Sequence, residues 1–438
     1  MAARRARSPA ARRASAAWVE LARGVETARF APEAGPLRVR RSASRSPAGL
    51  AARFARALSS VFVPEGYPAS VREGYLAFQA WDSVQGLCSY LRGVLSTRAI
   101  LSGLGVGHES ASALAATTQW VYRDGAGMLG GLVFAWAGAP WFDLNVKRWR
   151  LLADVAVDLA LTLELASPLL CPDDGGAAAR SCFTASVCLA NVLKAMCGVA
   201  AGATRAVITA HFARAGNMAD VQAKEGSQET AVSLAGMVLG LQLARLVEQE
   251  QHRDSVWLLF AALTLVHLLA NLLAVRALRL ASLNGVRLAL LVEEALRGGD
   301  APALSVARVN AAEPVLGAAP RQIRVGVPLS ALPDAAARDA ALAQLEHATC
   351  AALPPPRGAG SPDVCLALRH AAGPRDIVAA VFDAAAAPSA SAGREEQRAP
   401  SDGASFVAAL ERAGWDLGSL YLWDEKYRLE KSTRGKQL

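Results

Sequence analysis

The stretch VWLLFAALTLVHLLANLLAV, residues 256–275, contains no Asp, Glu, Lys or Arg across 20 positions. As a helix rising about 1.5 Å per residue it would be about 30 Å long, the hydrocarbon thickness of a bilayer. A helix that is apolar all round must be enclosed by other helices or by lipid, so any fold has to supply one of those two environments. Acidic Glu248, Glu250 and Asp254 precede the run, and Arg276, Arg279 and Arg287 follow it. Two further uncharged runs, residues 125–142 and 230–244, are 18 and 15 residues long. Both are marginal for a span. Arg150, Asp154 and Asp158 fall at i, i+4 and i+8 on one helical stripe, which suits either a solvated face or an ion-paired seam, because charge at mid-bilayer depth is costly. The expectation is a membrane-embedded bundle, with a soluble bundle built around residues 256–275 as the alternative.

Apolar periodicity, with Gly and Pro punctuation, predicts helices over residues 75–103, 109–123, 127–138, 145–166, 182–213, 217–248 and 255–283. Short connections make these one multi-helix bundle, and the chain reads as mainly α. Its hydrophobic content of 53% over 438 residues is ample for a large core. The organisation expected is a basic tail without fixed structure at 1–58, a helical core at 59–290, a Gly/Ala/Pro linker at 291–320, and a small α/β domain at 321–438. In that last domain IRVGVPL, from Ile323, and VCLALRH, from Val364, alternate like strands, and residues 374–386 and 403–413 read as helices. Residues 333–362 and 384–404 read as low-complexity loops.

The formal charge of +8 resides in the tail: residues 1–60 hold thirteen Arg, no Lys and three Glu, so the remainder is slightly acidic. No basic patch with interleaved aromatics lies elsewhere, which argues against a nucleic-acid partner. An Arg-, Ala- and Ser-rich tail, poor in acids and lacking a continuous apolar core, has the character of a transit peptide for a plastid or mitochondrion. Seven cysteines without a C-x-x-C pair indicate neither a disulfide framework nor a zinc site, and they read as small core residues.

Gly125, Gly127 and Gly130 have the G-x-G-x-x-G spacing of a dinucleotide loop. Charged Arg123 and Asp124 stand directly before them, however, and no βαβ alternation follows, so close helix contact is the better reading. Gly127 with Gly131, Gly198 with Gly202, and Gly236 with Gly240 are G-x-x-x-G pairs in apolar segments and are read the same way. Polar residues within these apolar blocks are the candidate site: Trp81, Asp82 and Gln85; Arg123 and Asp124; Lys224, Glu225, Ser227, Gln228 and Glu229. Buried ionisable groups need partners, so the three segments are expected to converge on one polar pocket. His267, alone inside the longest apolar run, reads as a core histidine with its nitrogens satisfied. No catalytic constellation, metal-ligand spacing or cofactor motif emerges, which argues against an enzyme.

Five ordered blocks carry a family resemblance: VFVPEGYPASVREGYLAFQAWDSVQGLCSYLRGVLSTRAILSGLGVG, TTQWVYRDGAGMLGG, KRWRLLADVAVDLALTLELASP, GVAAGATRAVITAHFA and NMADVQAKEGSQETAVSLAGMVLG. They resemble the Root UVB Sensitive (RUS) family over about residues 60–290. Weaker likeness extends to EPVL, from Glu313, and from Gly414–Trp415 to YRLEKS. The resemblance implies a eukaryotic protein linked to ultraviolet-B sensing, early development and vitamin B6 homeostasis. It also implies plastid association, hydrophobic segments and complexes with paralogues or with a second copy, without an established enzymatic activity. The reading that follows is a membrane-associated interaction or regulatory protein. A small-molecule or ion transporter, and a soluble enzyme or pyridoxal-phosphate-related factor using Lys224 as a Schiff-base amine, are the alternatives.

Overall fold

The computed structural model describes residues 18–22, 25–30, 54, 57–104, 113–171, 176–248, 255–298, 304–317, 319–332, 334–355, 363–387 and 402–431. It is mainly α, as expected. Contacts divide the chain into two units, residues 1–72 with 212–228 and residues 73–211 with 229–438.

In the first unit, β1 (Trp18–Ala22) and β2 (Val25–Phe30) form an antiparallel hairpin with a register shift between Glu20 and Leu21. Part of the tail expected to lack structure is therefore paired, because WVELA and VETARF carry β-branched and aromatic strand formers. Residues 54, 57 and 58 of the expected transit segment are helical, and the rest of it lies outside the described residues. Residues 57–62 are helical, and Val71 bridges Ala213 in antiparallel fashion.

The second unit contains the bundle. It comprises α1 (Tyr75–Gly103), α2 (Ala113–Phe142), α3 (Val146–Leu170), α4 (Ala177–Phe212, all but its last residue), the later part of α5 (Met218–Glu248) and α6 (Ser255–Ala277). The helices expected at 109–123 and 127–138 are a single helix, with the glycine triplet in its interior. Packing against α4 explains this: a Cβ at Gly130 would lie 2.7 Å from Val192 Cγ1, and one at Gly127 would collide with Asn191. The contact holds the segment helical despite the low propensity of glycine. α1 packs chiefly on α6 and α3. Its start is fixed by Gly74, at φ 91°, where a side chain would run into the Ala277 carbonyl. Cys171 and Cys182 are joined across the α3–α4 connection, the exception to the reading of the cysteines as small core residues, while Cys88, Cys350 and Cys365 are buried thiols.

The α/β layer starts earlier than expected. β3 (Ser282–Asn284) pairs in parallel with β7 (Asp416–Tyr421), and α7 (Gly285–Leu296) and α8 (Val306–Ala312) occupy much of the segment read as a linker. Leu283, Leu288, Leu291 and Val292 share one core with Val364, Leu366, Phe382, Phe406 and Trp415, so residues 282–296 belong physically to the C-terminal layer. A mixed sheet orders β5 (Cys350–Leu353), β6 (Val364–Leu368), β4 (Ile323–Val325) and β8 (Trp423–Asp424); β5–β6 is antiparallel and the other pairs are parallel. α9 (Ala335–His347), α10 (Pro374–Ala386) and α11 (Gly403–Arg412) complete it. The Ala-rich stretch read as a loop is α9, a helix of strong formers capped by Asp334 Oδ1 accepting from the Ala336 N–H. The Gly-Trp pair has a mechanical role: Gly414 takes φ 88° after α11, and buried Trp415 donates its indole N–H to the Leu304 carbonyl at 2.7 Å.

Candidate functional site

The described residues assemble a buried polar seam between α1, α3 and α6. Arg150 Nη2 contacts Asp82 Oδ1 at 2.6 Å. Two turns further along α3, Asp158 Oδ1 lies 2.5 Å from Arg92 Nη1 and 2.9 Å from His267 Nδ1. Neither carboxylate oxygen of Asp158 meets hydrogen-bond geometry, so the Arg92 contact is an ion pair without a directed bond. The directed bonds are made around them: His267 Nε2 with Ser89 Oγ at 3.0 Å, and Arg92 with Thr264 Oγ1 at 3.3 Å. The Arg92 guanidinium also sits 5.9 Å from the centroid of the Phe260 ring. Arg92 and His267 are fully buried, and Asp154 and Asp158 nearly so. Asp154 Oδ2 and Asn271 Nδ2 are buried without a hydrogen-bond partner. Glu164, on the next part of α3, takes both oxygens to Lys194 Nζ at 2.6 Å.

The α3 stripe is thus an ion-paired seam and not a solvated face. Side chains on the opposite faces are apolar and exposed. On α6, Leu258, Leu265 and Leu269 stand out while Phe260, His267 and Asn271 point in, two sets with the same i, i+7, i+11 spacing. On α3, Leu159 and Leu169 are exposed while Asp154, Asp158 and Glu164 are buried. α4, the α5 stretch Met218–Val247 and α6 are long and apolar enough to cross a membrane, and only 17%, 17% and 33% of their most apolar stretches are buried. The uncharged run at 125–142 lies in α2, which is not among the three; α2 carries Arg123 and Asp124 near its middle.

A second buried cluster ties α3 to the α/β layer. Lys147 Nζ contacts Glu313 Oε2 and Asn310 Oδ1, both at 2.8 Å, and Arg287 Nε donates to Glu313 Oε1 at 3.1 Å. Asn284 Nδ2 adds a bond to Glu313 at 3.2 Å, and Arg287 Nη1 donates to the Ser282 carbonyl. Burial alone would raise the Glu313 carboxyl, but Arg287 and Lys147 outweigh it and hold the group below the ordinary carboxylate range. Burial likewise pulls the Lys147 ammonium below its usual value, against the opposing effect of Glu313. Each charged group here faces one of opposite sign, which makes the cluster an anchor. A recess of about 240 Å³ near the end of α2 is lined by Pro140, Asp143, Ile377, Leu422 and Asp424, beside the Trp141–Trp423 ring pair.

Of the residues picked from sequence, Asp82 lies on α1 in the seam and Gln85 on α1 is buried, while Trp81 is exposed. Arg123 and Asp124 bond to each other at 2.8 Å, and Arg123 lies 3.7 Å over the Trp120 ring. Asp82 pairs instead with Arg150, so these two segments balance their charges with different partners. Glu229 pairs with Arg205 at 2.8 Å. In the other unit, Lys224 Nζ donates to the Ser60 carbonyl at 2.5 Å and lies 3.8 Å from Asp220, Gln228 Nε2 donates to the Phe62 carbonyl at 2.5 Å, and Asp220 accepts from the Glu65 N–H at 2.8 Å. These side chains satisfy backbone groups at the end of helix 57–62. Ser227 bonds back to the Ala223 carbonyl, and Glu225 is buried. An ammonium committed to a carbonyl is a poor Schiff-base amine. Among the glycines, Gly236 and Gly240 press on Tyr90 and Val94, and Gly131 meets Ala195, but Gly125, Gly198 and Gly202 have nothing within 4 Å and make no such contact.

Sequence reasoning missed Arg92, Lys147, Arg287 and Asn310. The available signal was the isolated His267 and the acid of EPVL, Glu313, each out of character with its apolar surroundings.

A family model described as the vitamin B6 photo-protection and homoeostasis domain matches residues 50–299. Protein root UVB sensitive 3 of Arabidopsis thaliana is 44% identical over 261 residues, 60% of this chain and 56% of that protein. RUS family member 1 of Dictyostelium discoideum is 41% identical over 278 residues, 63% of this chain and 51% of its own length. Protein root UVB sensitive 2, chloroplastic, of Arabidopsis thaliana is 36% identical over 241 residues, 55% of this chain and 52% of that protein. The chain spans about half the length of these relatives, and no solved structure matches it. The match, which takes in the whole of α1 to α7 and so both the seam and most of the anchor cluster, shows that the chain belongs to the Root UVB Sensitive family.

Proposed function

We propose that this chain is an integral membrane protein that serves vitamin B6 homoeostasis as a membrane-embedded interaction or regulatory component, with the α1–α3–α6 seam as its working centre. The observation that carries this is the inverted distribution of polarity. Arg92, Asp154, Asp158, Glu164 and His267 are buried, while Leu258, Leu265, Leu269 and Leu159 are 53–75% exposed. Each such leucine left in water forfeits about 1.5–3 kcal/mol of burial, and soluble proteins rarely leave contiguous apolar faces of this kind. In lipid the same faces cost nothing, and ionisable groups inside the bundle mark its site.

A second reading, a carrier for a small polar solute, is favoured by the unpartnered Asp154 Oδ2 and Asn271 Nδ2 inside the seam. The Arg-rich tail and the relative named chloroplastic support a plastid, with a mitochondrion as the other destination for such a tail. Association with a paralogue or a second copy is part of the proposal, supported by the open faces of α4 at Gly198 and Gly202. Alkaline carbonate extraction of membranes holding the full chain tests the reading. Retention in the pellet is expected, and release into the supernatant would overturn it.

A further inference from the structure

The two ends of the helical bundle differ in chemistry. α1 begins where Gly74 meets the Ala277 carbonyl at the end of α6, and α3 begins beside Lys147, which Glu313 holds. α2 ends at the same level, with Phe142 in one core with Ala200 of the later half of α4. This is the anchor end, and it carries the α/β layer. At the far end, Ile100 of α1 packs with Phe183 and Cys171, and Gln119 near the start of α2 accepts from Thr184 near the start of α4. Val247, late in α5, shares a core there with Phe260, early in α6. Cys171 is joined to Cys182 at this far end. Between Lys147 and Cys171, α3 rises about 36 Å, enough to cross the hydrocarbon of a bilayer. Exposed Trp141 and Trp257 stand near the two ends, where indole rings meet lipid headgroups.

We infer that Cys171–Cys182 is a modification site on the oxidising face of the membrane, and that the anchor end with the α/β layer faces the reducing compartment. The inference rests on the membrane reading above. Disulfides form and persist where the surroundings are oxidising and are rare in reducing compartments. Formation is an exchange with a disulfide oxidant: the two thiols give up two protons and two electrons, one sulfur–sulfur bond forms, and the oxidant's own bond opens to two thiols. The distribution of Lys and Arg agrees independently. Each connection is taken with the four helical residues on either side. The α2–α3 and α6–α7 connections at the anchor end then carry Lys147, Arg148, Arg276, Arg279 and Arg287, while the three far-end connections carry Arg180, Arg245 and Arg253. Acids are reversed, with Asp143 at the anchor end against Glu109, Asp173, Asp174, Glu248, Glu250 and Asp254. Setting Lys147 and Arg287 against Glu313 still leaves bases in excess at the anchor end and acids in excess at the far end. Short connections rich in Lys and Arg stay on the cytoplasm-like side of a membrane, which is also its reducing side.

The test uses the full chain in sealed membrane vesicles whose reducing face is outermost. Free thiols are first blocked with N-ethylmaleimide, the chain is then unfolded and reduced, and the thiols released take a polyethylene-glycol maleimide. Two mass tags per chain are expected from the wild type and none from Cys171→Ser. Sidedness is read with a membrane-impermeant maleimide on two exposed positions, Ser255→Cys at the far end of α6 and Leu342→Cys on α9, each in a chain lacking the free native cysteines. Leu342→Cys is expected to react in intact vesicles, and Ser255→Cys only after detergent. A wild type that takes no tags would overturn the assignment of the oxidising face, and the reverse order of reaction would overturn the orientation. Reaction of both positions before detergent, in a chain that carbonate leaves in the pellet, would also overturn the orientation while the membrane reading stands. Release of the chain by carbonate would overturn both.

Discussion

Glu313 illustrates how single side chains carry this structure. It is buried between Lys147 and Arg287, and removing one member of such a cluster leaves the others uncompensated. Glu313→Gln is expected to destabilise the folded chain by about 3–5 kcal/mol, measured by chemical unfolding in detergent. The sign of its pH effect follows from its depressed carboxyl. The contribution is fully present above the unfolded value of about 4.3 and is lost as pH falls through the lower folded value. Acid unfolding of the wild type should therefore show a component that Glu313→Gln lacks; identical acid profiles would remove Glu313 from the anchor. At this scale the sequence was half legible. The 150-154-158 stripe could be read from spacing alone, because helical periodicity is local. Arg92 and His267 come from positions far away in the chain, and no spacing rule connects them to Asp158. Lys224 and Gln228 were legible as a polar face, but their partners are backbone carbonyls, which carry no signature in sequence.

Among the elements, the glycines separate two roles that share one motif. A Cβ at Gly236 would lie 2.7 Å from Tyr90 Cγ, and one at Gly130 2.7 Å from Val192 Cγ1, whereas Gly202 has nothing within 4 Å. Gly236→Val and Gly130→Val should each lower stability by about 1–3 kcal/mol through overpacking. Gly202→Ala should instead raise it by up to about 1 kcal/mol, because alanine favours the helix. Thermal unfolding of the three variants decides this, and a uniform loss across them would contradict the assigned contacts. Element types were well read from the sequence over residues 75–103 and 374–386, where periodicity is strong and ends are marked. α2 was split in two because propensity penalises its glycines, and only the contact with α4, invisible locally, restores the helix. α9 was taken for a loop because its alanines suggested low complexity, when alanine is the strongest helix former. β7 and the early start of the α/β layer at Ser282 depend on a parallel pairing between segments more than a hundred residues apart.

For the whole molecule, the central claim is that lipid is the solvent of the bundle's apolar faces and that the seam is its polar interior. α6 states the claim most sharply, with exposed Leu258 and Leu265 against fully buried His267 on one 23-residue helix. The measurement that tests it most directly places spin labels at Leu258→Cys and Leu265→Cys, in full chain reconstituted into vesicles and lacking the free native cysteines. Leu342→Cys on α9 serves as the aqueous reference. The account predicts that labels at 258 and 265 collide readily with dissolved oxygen, which concentrates in hydrocarbon, and are shielded from a water-soluble paramagnetic chelate, while the label at 342 shows the reverse. Free access of the chelate to 258 and 265, matching that at 342, would contradict it.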